Sequence, residues 1–93
     1  MIRSFGSKDT ERWWHRERVP SIDPRIQRVA LRELRQIASV QSVDELRVPP
    51  GNRLEVLKGD RAGQHSIRVN DQWRICFVWT GAGAEEVEIG DYH

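Results

Sequence analysis

Apolar residues recur along this chain with two different periods, and the change of period divides it. In the first half Ile26, Val29, Ala30, Leu34, Ile37 and Ala38 follow at three-four spacing while Arg25, Arg28, Arg32 and Arg35 fall on the other side, the pattern of an amphipathic helix. Asp23-Pro24 marks its start, a cap residue followed by a proline whose fixed φ suits the first helical position. Upstream, Ser7 is placed to cap a helix that runs to about Arg18 and carries Trp13 and Trp14, until Val19-Pro20-Ser21 breaks it. Ile2 to Phe5 alternates weakly, which predicts a short edge strand. Between Ser39 and Asn52 lie the turn formers Pro49-Pro50-Gly51-Asn52 and one helical turn around Asp44 to Leu46.

From Arg53 onward the period is two. Leu54 and Val56, then Ile67 and Val69, then Trp73, Ile75, Phe77 and Trp79, then Val87 and Ile89 alternate with polar residues, which predicts four strands. Gly59-Asp60-Arg61-Ala62-Gly63, Asn70-Asp71-Gln72 and Gly81-Ala82-Gly83 separate them by distances suited to antiparallel hairpins. Helices first and strands second, each with one apolar face, make an α+β fold: two N-terminal helices packed on one face of a small antiparallel β-sheet.

Length changes this picture little. A chain of 93 residues is expected to form a single domain, 1–93, around one core, with the four tryptophans supplying much of it. A single cysteine, Cys76, leaves no internal disulfide and suits a reducing compartment. The first residues lack the apolar run of a signal peptide and no later stretch approaches a membrane span, so the cytoplasm is the expected location and no membrane partner is expected. The net charge of +1 would not by itself suggest a nucleic-acid partner. Its distribution is more informative: residues 1 to 47 hold 10 basic and 7 acidic side chains, residues 48 to 93 hold 5 and 7. Arginine outnumbers lysine 13 to 2, which suits phosphate and carboxylate recognition and is equally accounted for by codon composition.

The basic residues of the second half are few enough to place one at a time. If Asn70-Asp71-Gln72 is a three-residue loop, Val69 faces Trp73 and Arg68 faces Arg74 across the strands. Alternation then turns Ser66, Arg68, Arg74 and Cys76 away from the helices, onto a face that also receives Glu55, with Lys58 near its rim. Two facing like charges are destabilising unless something negative lies between them. An anion would serve, and so would Glu85, Glu86 or Glu88 from the next strand. Cleavage of a phosphodiester by a ribose 2′-hydroxyl needs a base, cations for the phosphoryl oxygens and an acid for the leaving oxygen, and this face offers all three residue types. The chain closes on Asp91-Tyr92-His93, where the imidazole is either a proton carrier near neutral pH or a plain surface histidine; charge and spacing alone favour the latter. The histidines are too scattered for a metal cluster, and Gly81-Ala82-Gly83 precedes a strand rather than a helix, so neither a metal nor a phosphate-loop cofactor is expected.

Three strings taken together, Leu57-Lys58-Gly59-Asp60-Arg61 with Gly63, Ser66 to Ile75, and Asp91-Tyr92-His93, resemble the HigB-like, or plasmid-maintenance killer, branch of the RelE/ParE toxin superfamily over essentially the whole chain. The resemblance implies the RelE-like microbial RNase fold and a ribosome-dependent, metal-independent endoribonuclease that cuts mRNA in the decoding site. It implies a helix-turn-helix, HigA-like antitoxin as partner. It makes Arg74 the phosphate-binding arginine, Tyr92 and His93 the C-terminal catalytic residues, and Asp91 their neighbouring acid. Glu55 stands where some members carry histidine and is the remaining catalytic candidate, with Lys58 and Arg68 as substrate-binding residues. Two other readings share these features: a ParE-like toxin that poisons gyrase by binding it, and a non-catalytic RNA-binding module that grips the backbone without cutting.

Overall fold

A computed structural model describes residues 1–91. Two helices precede a four-stranded antiparallel sheet. The helices are α1, Lys8–Trp14, and α2, Gln27–Ser39. The strands are β1, Glu55–Val56, β2, Gln64–Arg68, β3, Trp73–Thr80, and β4, Gly83–Asp91, and they lie side by side in chain order. Ile2 and Phe5 bridge in parallel to Ala84 and Val87, so the expected N-terminal edge segment runs along β4.

Local chemistry accounts for most element ends. The Ser7 hydroxyl accepts the Thr10 N–H at 3.1 Å and so caps α1. The Asp23 carboxylate accepts the Arg25 N–H at 2.9 Å and opens a 3-10 turn, Pro24–Ile26, that leads into α2. Ser42 and Glu45 form a reciprocal capping box on the turn Val43–Arg47, where one helical turn is expected. Helix α1, however, stops at Trp14 and does not reach Arg18. Arg16 takes a left-handed φ of 69°, which redirects the chain so that Val19 enters the core.

The core joins both helices to the sheet. Trp13 from α1 and Ala30, Leu34 and Ile37 from α2 form one cluster with Ile67, Ile75, Phe77, Val87 and Ile89. The tryptophans contribute less than their size predicts: only Trp13 is buried, and Trp14, Trp73 and Trp79 sit partly exposed at the margin. Phe77 and the branched aliphatics fill the centre instead. Val56 also departs from the pattern, 63% exposed on a two-residue edge strand. Thr10 ties α1 to the sheet: its buried hydroxyl accepts the Ile89 N–H at 3.0 Å. Where two residues of β4, Glu86 and Val87, oppose Phe77 alone, a bulge with Glu86 at φ 53° bends the strand. Among the described residues no helix is long and apolar enough to cross a membrane.

Candidate functional site

The β2–β3 register places Arg68 directly opposite Arg74, as the loop length predicts. On β1, Glu55 pairs with Ser66, which brings its side chain to the same face as the two arginines. Arg74 Nη1 donates to Glu55 Oε2 at 3.1 Å, and Arg68 Nη2 donates to the Asp71 carboxylate in the hairpin loop. Glu85 turns instead to Arg3, 3.9 Å away, so the counter-ions of the facing arginines come from β1 and the loop rather than from that position of β4. Together Arg53, Glu55, Arg68, Asn70, Asp71 and Arg74 line a hollow of about 250 Å³.

Burial differs sharply around this hollow. The Arg74 side chain is 21% exposed and its Nε is buried with no partner among the described residues, while Glu55 is half exposed and the Asp71 side chain almost fully so. An ion pair this open to water contributes about 0–1 kcal/mol. Either carboxylate can therefore yield to an incoming phosphodiester at little cost, whereas the arginine is held by its surroundings. Ser66 and Cys76, expected on an open face, are buried there at 0% and 2% exposure. They are short side chains set among Gln64, Arg68, Arg74 and Glu55 in the register, so the longer neighbours roof them over.

The other expected residues lie differently. Lys58 caps the 3-10 turn Gly59–Arg61, exposed and outside the lining of the hollow. Asp91 pairs with Trp73, and it is Gly90 that faces Arg74; the Asp91 carboxylate accepts the Gln72 side-chain amide at 2.7 Å. Alternation thus sends Asp91 toward the opposite side of the sheet from the arginines. Tyr92 and His93 lie outside the described residues. Among the described residues no three His, Cys, Asp or Glu side chains gather as metal ligands would.

Three features were not anticipated from the sequence. Arg53 and Asp71 line the hollow, yet the sequence marked Arg53 only as the start of the period-two half and Asp71 only as part of a turn. Glu33 is 2% exposed on α2, its Oε2 without a hydrogen-bond partner among the described residues. Burial pushes its carboxyl up to about 7, against the opposing pull of Arg32 and Arg68. The signal for it was present: position 33 falls on the stripe formed by Ile26, Ala30 and Ile37. His65 stacks on Phe77 with ring centroids 5.9 Å apart, and burial holds its imidazole below the ordinary range despite the nearby Asp44. It sits at the edge of the core and lines no part of the arginine hollow.

Comparison with known proteins bears on what this face belongs to. A family model described as the RelE-like toxin of type II toxin-antitoxin system HigB matches residues 3–93. Toxin HigB-1 of Vibrio cholerae serotype O1 is 36% identical over 80 residues, covering 85% of this chain and 84% of that protein. An uncharacterized protein of Haemophilus influenzae is 35% identical over 62 residues, covering 67% of this chain and 58% of that one. Among solved structures, a YoeB/ParE toxin from Agrobacterium tumefaciens superposes with a TM-score of 0.60 at 21% identity, over 99% of this chain and 98% of that one. YafQ from E. coli strain BL21(DE3) does so with a TM-score of 0.58 at 15% identity, over 98% and 91%. Those two share the fold, whereas the family model and the Vibrio relative reach further: this chain belongs to the HigB-like family of RelE-like toxins of type II toxin-antitoxin systems.

Proposed function

We propose that this toxin is a ribosome-dependent endoribonuclease that halts translation in the cytoplasm by cutting mRNA in the decoding site, through attack of a ribose 2′-hydroxyl on the adjacent phosphorus. The observation that carries the reading is the convergence of Arg68, Arg74 and Glu55 on one face, with the guanidinium of Arg74 held in place and both counter-ions replaceable. As a member of a type II system it has an antitoxin partner; a HigA-like helix-turn-helix protein is the form proposed here.

The chemistry follows from that arrangement. Arg74 and Arg68 take the non-bridging oxygens of the scissile phosphate, where negative charge grows as the O2′–P bond forms. A phosphate seated there displaces Glu55 from Arg74, freeing its carboxylate to accept the 2′-hydroxyl proton. Glu55 suits that task better than Asp91, which is in register with Trp73. His93, with Tyr92 beside it, returns a proton to the O5′ leaving oxygen as the P–O5′ bond breaks, leaving a cyclic phosphate and a 5′-hydroxyl. No step requires a metal ion. Lys58, at the edge of β1, adds positive charge along the RNA path.

The test is a translating extract supplied with Arg74→Ala or with a chain truncated before Tyr92, reading transcript 5′ ends. Loss of one such charge-stabilising contact is expected to slow cleavage by about 10²–10³-fold. Full cleavage by both variants would overturn the assignment. So would intact mRNA accompanied by stabilised gyrase–DNA breaks from the wild-type chain.

A further inference from the structure

The hollow beside the arginine pair is lined by a third arginine, Arg53, whose backbone is fixed by its neighbours. Arg53 follows Asn52, which is 1% exposed and donates its side-chain amide to Gln36 Oε1 at 3.0 Å and to the Leu46 carbonyl at 3.1 Å. That buried anchor pins the turn Pro50–Asn52 to α2 and to the preceding turn. The Asn52 and Arg53 N–H groups then donate to the Pro49 and Pro50 carbonyls at 3.0 and 3.1 Å. Arg53 itself adopts φ 47° and ψ 58°, a left-handed conformation that disfavours any residue with a Cβ. An arginine where glycine would fit with less strain is a reason to look for work done by the side chain.

Charge supplies the second argument. Of the three arginines lining the hollow, Arg74 is matched by Glu55 and Arg68 by Asp71, while Arg53 has no ion-pair partner among the described residues. The lining therefore carries one positive charge more than its carboxylates offset. Arg53 also enters from the chain just before β1, so it reaches the hollow from a different side than the β2–β3 pair.

From this geometry we infer that Arg53 forms a second phosphate subsite, which grips the backbone phosphate of the nucleotide next to the one at Arg68 and Arg74. The ligand class is single-stranded RNA, and the inference rests on the cleavage reading only for which phosphate is cut. Two phosphates held from two sides would fix the register of the strand across the hollow. Arg53 is thus a binding residue and takes no part in proton transfer.

Arg53→Gly is the decisive variant, because glycine adopts the left-handed turn without strain while the whole side chain, guanidinium included, is removed. Arg53→Lys keeps a point charge at the same backbone cost. Binding of a short, uncleavable 2′-O-methyl RNA is measured across a salt series, and cleavage on mRNA-programmed ribosomes is measured in parallel. Loss of one phosphate contact is expected to weaken RNA binding about tenfold and make the logarithmic salt dependence shallower by about 0.7, with Lys restoring most of both. In the cleavage assay KM should rise by a similar factor with kcat changed less than about twofold. Wild-type affinity and salt slope in Arg53→Gly, or no measurable binding of the RNA by the wild-type chain, would overturn the subsite. If the wild-type chain binds RNA with the Arg53-dependent slope but leaves mRNA intact, the subsite stands and the nuclease reading falls.

Discussion

Replacing Glu33 with glutamine should stabilise this protein at pH 8 and do so much less at pH 5. Glu33 is buried in α2 among Ala30, Leu34 and Ile37, and its carboxyl, ordinarily near 4.5, is pushed up to about 7 in the fold. Below pH 4.5 the group is protonated both folded and unfolded, so it exacts no pH-dependent penalty. As pH rises from there toward 7 the unfolded chain releases a proton that the folded chain retains, and stability falls. Above the folded value the full penalty is present. The shift spans roughly 2.5 units, which at about 1.4 kcal/mol per unit sets a ceiling of about 3.5 kcal/mol; about 2 kcal/mol is expected once relaxation and water entry soften the burial. Glutamine keeps the shape and cannot ionise. Urea unfolding of both proteins from pH 5 to 8 measures the difference directly, and His65, whose imidazole is held low by burial, cancels because it titrates in both. Parallel stability curves for the two proteins would refute the reasoning, since the carboxyl would then be ionised in the fold from low pH or exposed to water.

Two further predictions test other parts of the structure. Gly83→Ala should cost at least about 1–3 kcal/mol in thermal or urea unfolding, because Gly83 has φ 140° and an added Cβ would stand 2.3 Å from the Met1 carbonyl oxygen. The loss should be accompanied by faster amide exchange at Ala84, whose N–H donates to that same carbonyl, and an unchanged exchange pattern would contradict it. Glu55→Gln keeps the side chain's size while removing a base, so cleavage at saturating ribosomes should fall by about 10²–10⁴-fold with RNA affinity equal or higher; a kcat near wild type would remove Glu55 from proton transfer.

Much of the architecture follows from local chemistry that sequence displays directly. The three-four spacing from Ile26 to Ala38, the caps at Ser7 and Asp23, and the period-two runs after Arg53 specify two helices and four strands, because side-chain periodicity and orphan backbone groups are properties of neighbouring residues. Even the facing of Arg68 and Arg74 is local, since a short hairpin loop sets its own register. Where the packing of distant segments decides, sequence is silent. The end of α1 at Trp14, the marginal place of three tryptophans and the burial of Glu33 depend on how the helices seat on the sheet. Arg53 is the plainest case: its place in the hollow is set by Asn52 bonding to Gln36, 16 residues earlier in the chain, and no periodicity carries such a contact. The chain alone thus determined which residues alternate and which elements form, while tertiary packing decided which charges meet, because a contact between remote segments exists only once the core between them has closed.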